Sequence, residues 1–320
     1  GYLNEAFSSL ASVTTIGNHD SGSTAYNEHF NLPNESSSLG ATTAGTDYWF
    51  VYNNTLFMDI NSNDLSTAEH KEFMESAIAQ NPDVTWKAVI FHHSVYSTAS
   101  HTDDSDILQR REELPPVFDE LGIDVVLMGH DHVYTRTYMM NGTTPDTSNG
   151  VQSEVTNPEG VLYLTANSAS GSKYYDIQAP EAPFSVVMDQ SYRRTVTDVE
   201  ITDTSYTVTT YYADTMDVLD TFTINKTEEA EPENPDDNQN PDDNQNPDDN
   251  QNPDNNPDLN GNQNNTADPD NGGNSGAADN SGTASTPKTG DTTTVASTVV
   301  MLGAAGAAIA AVLLKKRKNI

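Results

Sequence analysis

The sequence predicts an α/β fold in which stacked, mixed β-sheets are flanked by helices, and it places this domain in residues 1–226. Strand-like and helix-like runs alternate along the first part of the chain, and three more strand-like runs follow without helices between them. Mixed βαβ order with a β-rich end is typical of packed layers of sheets and helices. The composition changes sharply near Lys226, and this change sets the boundary of the domain.

The first half of the domain contains three clear patterns. "SVTTIGNHD" is a short β-branched strand that ends in a glycine turn, and "DYWFVYNNTLFMDI" is two strands joined by a tight hairpin at Asn53 and Asn54. "LSTAEHKEFMESAIAQ" has Ser66 and Glu69 in capping-box spacing, followed by apolar residues at helical period. We therefore predict a strand, a hairpin and a helix in this order.

The second half alternates in the same way before it becomes entirely strand-like. "TWKAVIFHHSVY" is a buried strand that runs into polar residues, "LPPVFDELGI" is a short helix entered through two prolines, and "DVVLMGHDH" is the next strand. "VLYLTANS" is a further strand, and the runs "TVTDVEI", "SYTVTTYY" and "VLDTFTI" complete the domain. These last three runs are the β-rich end of the fold.

Residues 227–285 are predicted to be a disordered, acidic spacer. The hexamer NPDDNQ occurs three times in succession from Asn234 to Gln251. Regular prolines interrupt helices, like charges extend the chain, and too little apolar area is present to offset the entropy of ordering. A calcium-binding array of aspartates is the alternative interpretation of these repeats.

Residues 286–320 resemble the cell-wall sorting signal of Gram-positive surface proteins. The pentapeptide TPKTG precedes the uncharged apolar span 295–314, and a basic tail of lysines and one arginine follows. Such a span is long enough to cross a bilayer as a transmembrane helix, and the basic tail would remain on the cytoplasmic side. The resemblance implies that a sortase cuts between Thr289 and Gly290 and links the chain to peptidoglycan, which places the domain outside the cell. The family pentapeptide is LPxTG and Thr286 stands where leucine is usual, so a plain membrane anchor is the alternative.

Composition excludes several classes of protein. The formal net charge is −34 and no basic patch is present, so nucleic acid is not an expected partner. The chain has no cysteine, which excludes a disulfide framework and a thiolate metal site. An acidic molecule that acts on phosphates needs local positive charge, and bound cations can supply it.

Three of the predicted strands end in residues that bind metals. Asn18 and His19 follow the first strand, His92 and His93 end another, and His130 and His132 follow a third. Ligands bind beyond the carboxyl ends of the strands in open α/β sheets. His130 and His132 are two residues apart, so an extended backbone would direct both to one face. The nitrogen and oxygen donors predict a site for zinc, iron or manganese.

The motifs GNHD, a strand ending in histidine, and GHDH occur in the order found in calcineurin-like metallophosphoesterases, and the chain resembles the purple acid phosphatase type. The resemblance covers roughly residues 1–176 and implies the αββα sandwich of that family. It implies two metal ions, Fe, Zn or Mn. The implied metal ligands are Asn18, His92, His130 and His132.

Further roles follow from the same resemblance. His19 and, by its spacing after His92, His101 are implied as catalytic histidines of the substrate pocket. His93 is the alternative to His92 as the strand-end ligand. Asp20 and Asp131 either orient imidazoles or are solvated residues of turns.

The sequence departs from the family in one respect. The family has an early Asp-x-His or Asp-x-Gly strand end and a Gly-Asp segment whose aspartate bridges the metals, and neither is found here. Asp64, Asp104 and Asp106 stand in another context and are interpreted as surface charge. We therefore expect an N-terminally truncated chain that lacks the first strands of the sandwich and is inactive by itself.

The implied function is hydrolysis of phosphate esters by a metal-activated hydroxide at the cell surface. Small phosphomonoesters are the expected substrates. A phosphodiesterase is one alternative. A non-catalytic, wall-anchored binding protein on a degenerate phosphatase fold is the other.

Overall fold

The computed structural model describes residues 11–227 and the strand Ser297–Met301, and every structural statement below concerns these residues. The helices are α1 (Ala25–His29), α2 (Thr67–Gln80) and α3 (Ser105–Glu120). The strands are β1 (Tyr48–Tyr52), β2 (Thr55–Asp59), β3 (Trp86–Ile90), β4 (Val125–Met128), β5 (Tyr134–Asn141), β6 (Thr144–Pro145), β7 (Glu154–Thr156), β8 (Val161–Thr165), β9 (Ser185–Asp189), β10 (Thr195–Ile201), β11 (Ser205–Tyr212), β12 (Val218–Asn225) and β13 (Ser297–Met301).

The strands form two sheets, as the sequence predicts. The first has the order β1-β2-β3-β4-β8-β5-β6, with β9 paired to β5, and the second has the order β13-β10-β11-β12-β7. The neighbours β2, β3, β4 and β8 are parallel, whereas β1 and β5 pair antiparallel to this central group. The first sheet is therefore mixed, and its four parallel strands end at one edge.

Apolar residues cover both faces of the first sheet. One face packs on the second sheet through side chains such as Trp86, Leu127 and Tyr206. The other face packs on helices α2 and α3 through side chains such as Val126, Phe73 and Phe118. The described residues thus form three layers, helices on sheet on sheet, and the parallel strands between them are buried on both sides.

Local signals account for several elements. The predicted hairpin is confirmed: β1 and β2 pair antiparallel, and Asn53 has φ of 57°, which suits a tight turn. The predicted helix is also confirmed, with Ser66 as the N-cap that accepts a hydrogen bond from the Glu69 amide. The carboxylate of Glu69 instead accepts from the Gly40 amide, so only half of the capping box is formed.

Two expectations were wrong. The helix expected to begin at two prolines runs from Ser105 to Glu120, with Pro115 and Pro116 inside it. Its apolar face is formed by Ile107, Leu114 and Phe118 at helical spacing, and burial of this face outweighs the helix-breaking effect of the prolines. Residues 12–16, expected as a strand, join no ladder among the described residues, although Ile16 is buried.

The fold does not test the predictions for the C-terminal segments. The predicted spacer, the TPKTG segment and most of the apolar span lie outside the described residues. Five residues of that span form β13, which pairs antiparallel with β10. Among the described residues, none of the helices combines the length and the apolar character needed to cross a bilayer.

Candidate metal centre

Three histidines converge at the carboxyl ends of β3 and β4. His92 and His93 follow β3, His130 follows β4, and one ring nitrogen from each lies within 4.8 Å of the others. His92 and His93 are both 5% exposed, and the imidazole planes meet edge to face or at a tilt. The parallel pairing of β3 and β4 brings these loops together, so the site is a product of the sheet topology.

Asn18 contacts the same cluster from the first loop of the described chain. Its Oδ1 lies 2.9 Å from His92 Nε2, and His130 Nδ1 lies 3.0 Å from the same nitrogen. Gly17 permits this approach because a Cβ atom there would lie only 3.3 Å from the His92 ring. His19 and Asp20 continue the loop: His19 is exposed, and Asp20 accepts a hydrogen bond from the Gly17 amide.

The donors of this cluster fit a metal ion. A single proton on His92 Nε2 cannot make good hydrogen bonds to both Asn18 Oδ1 and His130 Nδ1. A cation shared by the three atoms attracts the lone pair of each. Neighbouring ligands of an ion at about 2.1 Å stand roughly 3.0 Å apart in octahedral and roughly 3.4 Å apart in tetrahedral geometry, close to the separation found here. The buried Nδ1 of His92 has no hydrogen-bond partner in the described part of the chain. Nitrogen and amide oxygen donors suit zinc, iron or manganese.

Burial keeps these imidazoles neutral. It lowers the pKa of His92 and His93 well below the ordinary value, and their histidine neighbours lower it further. It lowers the pKa of His130 to about 4, with His101 as the next cause. The pKa of His132 is lowered chiefly by burial too. Neutral imidazole is the form that binds metals, so the cluster is prepared for a cation at neutral pH.

His132 stands apart from the three clustered histidines. The strand β4 ends at Met128, and His130 and His132 have φ of 70° and 43°. The backbone is therefore not extended at these residues, contrary to the prediction from the sequence. The chain turns here toward β5, and His132 Nδ1 lies 3.0 Å from the Lys173 carbonyl oxygen. The assignment of His132 as a ligand therefore stays a prediction.

His101 lies beside the cluster, and Asp104 orients its ring. Its centroid is 4.4 Å from that of His130, and its Nδ1 is 2.6 Å from Asp104 Oδ2. Asp131, which is fully buried, accepts hydrogen bonds from the His101 amide and the Ser97 hydroxyl. Asp131 thus fixes the loop that carries His101, and neither of these two hydrogen bonds comes from an imidazole. Burial raises the pKa of Asp131.

The residues that hydrogen-bond to the histidines, or that hold these partners in place, were not predicted from the sequence. Ser62 follows β2, and its Oγ lies 2.9 Å from His93 Nδ1. Arg110 of α3 donates to the Ser62 carbonyl and pairs with Asp106, and Asp104 bonds His101. Asp104 and Asp106 are therefore not mere surface charges. The position of Ser62 after a strand end was the one available signal.

The comparisons with known proteins agree with this geometry. Residues 1–134 match the model of the calcineurin-like phosphoesterase family, a range that contains Asn18, His92, His93, His130 and His132. The fold and the histidine cluster are consistent with this match, which supports a hydrolase of the metallophosphoesterase type.

Individual relatives are more distant. An uncharacterized protein found in two strains of Mycobacterium tuberculosis is 26% identical over 143 residues, which are 40% of this chain and 26% of that protein. The chain therefore spans about a quarter of the length of these curated relatives. A purple acid phosphatase from yellow lupin seeds has a TM-score of 0.56 at 16% identity, over 66% of this chain and 40% of the lupin chain. At that identity the likeness concerns the fold.

Proposed function

We propose that the protein containing this domain hydrolyses small phosphomonoesters with two bound transition metal ions. The proposal rests on one observation. His92 Nε2 lies 2.9 Å from Asn18 Oδ1 and 3.0 Å from His130 Nδ1, and His92 and His130 follow neighbouring parallel strands. His132 would contribute to the second ion. Bound divalent cations of this kind polarise a phosphoryl oxygen and lower the pKa of water toward neutrality.

The residues around the cluster have defined tasks in this proposal. Asn18, His92 and His130 hold the cation in a pocket whose floor is buried. His101 holds a proton toward the leaving oxygen, because Asp104 occupies its Nδ1 and leaves Nε2 for the substrate. His19, exposed at the mouth, contacts the phosphate. Lys173, also exposed, supplies positive charge near His132 in an otherwise acidic protein.

Hydrolysis of p-nitrophenyl phosphate by the zinc-, iron- or manganese-loaded protein tests the proposal. Activity should disappear on chelation and return with metal, and His130→Ala should reduce kcat/KM by about two orders of magnitude or more. His101→Ala should lower kcat without lowering metal content. His29→Ala, an exposed histidine of α1, is the control. Activity that survives both chelation and His130→Ala would refute the metal mechanism.

We further propose that the domain is displayed on the cell wall of a Gram-positive bacterium, with sortase and peptidoglycan as partners. The support is the order of TPKTG, apolar span and basic tail in residues 286–320. Mass spectrometry of wall-released protein should find a C-terminus at Thr289. A chain that retains residues 295–314 in the membrane would instead indicate a plain anchor.

A further inference from the structure

His93 and His130 both lie in loops that follow neighbouring parallel strands, His93 after β3 and His130 after β4. In the ladder between β3 and β4, Ile90 pairs with Leu127, and in the ladder between β2 and β3, Asp59 pairs with Ile90. His93 follows Ile90 by three residues, and His130 follows Leu127 by three residues. His93 and His130 thus lie the same number of residues beyond a paired position, in the loops that follow β3 and β4.

Ser62 has the third equivalent position, three residues after Asp59, and it orients His93. Its Oγ lies 2.9 Å from His93 Nδ1 and accepts a hydrogen bond from the His93 amide at 3.2 Å. Ser62 is 1% exposed, so water does not compete for these contacts. When the Nδ1–H group of His93 donates to this hydroxyl, the lone pair of the ring is on Nε2 and is free for a metal ion. A hydrogen bond donated by the far ring nitrogen fixes the tautomer and orientation of a metal-binding histidine.

Arg110 holds Ser62 in place. Its guanidinium donates to the Ser62 carbonyl through Nε at 2.9 Å and through a second nitrogen at 2.5 Å. The third guanidinium nitrogen pairs with Asp106 Oδ2 at 2.6 Å, so all three nitrogens of Arg110 have a partner. Arg110 is 5% exposed. Arg110 therefore acts on His93 through Ser62.

We infer that His93, positioned by Ser62 and Arg110, is a metal ligand together with Asn18, His92 and His130, so that these four side chains hold one of the two proposed ions. One ring nitrogen from each histidine lies within 4.8 Å of the others, so closing around an ion at about 2.1 Å needs movements of less than about 1 Å. Four nitrogen and oxygen donors complete a tetrahedral site. The inference rests on the metal site of the proposed function and does not require hydrolysis.

Zinc titration by calorimetry, with cobalt(II) absorption as a second readout, tests the inference on the whole chain. The wild-type protein should bind zinc tightly at this site, and His93→Ala should weaken this binding as strongly as His92→Ala and His130→Ala. Ser62→Ala should raise the zinc Kd by about 10- to 100-fold. Ser94→Ala is the matched control, because Ser94 is equally buried, adjoins His93 and has no hydrogen-bond partner for its hydroxyl among the described residues.

The cobalt spectrum separates ligation from general damage to the fold. Tetrahedral cobalt(II) absorbs strongly in the visible range, and His93→Ala should shift and weaken this band in protein that keeps its circular dichroism. Normal zinc affinity and an unchanged cobalt band in His93→Ala and Ser62→Ala, with loss in His92→Ala, would overturn the inference and leave the proposed function intact. A wild-type chain that binds no zinc, iron or manganese would overturn the proposed function itself.

Discussion

At the scale of single residues, the site depends on imidazoles that the fold keeps neutral and close together. His92 Nε2 contacts both Asn18 Oδ1 and His130 Nδ1 at about the separation of two ligands on one ion. The sequence predicted this convergence because Asn18, His92 and His130 each follow an apolar run. It could not predict the relation between His93 and Ser62, since that contact depends on the register of β2 against β3.

The lowered pKa of His130 predicts a pH dependence of stability. In the unfolded chain this imidazole takes a proton near pH 6.5, whereas in the folded protein it does so only near pH 4. Between these values the unfolded state binds more protons, so the contribution is complete above about pH 6.5 and is lost as the pH falls. His130→Asn, which suits the φ of 70° there, removes the effect.

Urea unfolding of metal-free protein at several pH values measures this contribution. Relative to His130→Asn, the wild-type protein should lose stability steadily from pH 6.5 to pH 4. A difference between the two proteins that stays constant over this range would show that His130 is not held neutral by burial.

At the scale of elements, a buried pair joins the loop before β1 to helix α2. His70 Nδ1 of α2 lies 2.7 Å from Asp47 Oδ2, and both side chains are at most 2% exposed. The other carboxylate oxygen of Asp47 accepts from the Asn61 amide, which lies next to Ser62. The pair therefore fixes both the helix and the loop that carries Ser62.

Removal of one partner of this pair should be costly. Asp47→Ala leaves a buried imidazole without its acceptor, and we expect a loss of about 3–5 kcal/mol in the free energy of unfolding. Asp146→Ala, at an exposed turn, is the control and should change stability little. Chemical denaturation measures both, and a loss below about 1 kcal/mol for Asp47→Ala would show that solvent reaches His70.

Some of the secondary-structure elements could be predicted from local sequence, and others could not. The hairpin at Asn53 and the helix capped by Ser66 follow from local residues, and both were predictable. Helix α3 was not, because Pro115 and Pro116 are local signals for a helix start, and only packing against the sheet favours a helix through them. The roles of Asp104 and Arg110 depend on that longer helix, so they were missed with it.

At the scale of the whole molecule, the net charge of −34 opposes the approach of phosphate. Salt screens this repulsion over a Debye length of about 10 Å at 0.1 M. We expect kcat/KM of the metal-loaded protein for p-nitrophenyl phosphate to rise with ionic strength, while kcat stays constant. Steady-state kinetics from low salt to about 0.15 M measures this, and a fall in kcat/KM would show that Lys173 and the metals dominate the local field.

Anomalous X-ray scattering at the zinc edge shows whether the histidine cluster binds a transition metal. Crystals grown with zinc should show a strong peak about 2.0–2.2 Å from Asn18 Oδ1 and from one nitrogen each of His92 and His130. Zinc bound elsewhere on the acidic surface, with no peak between these three side chains, would contradict the account.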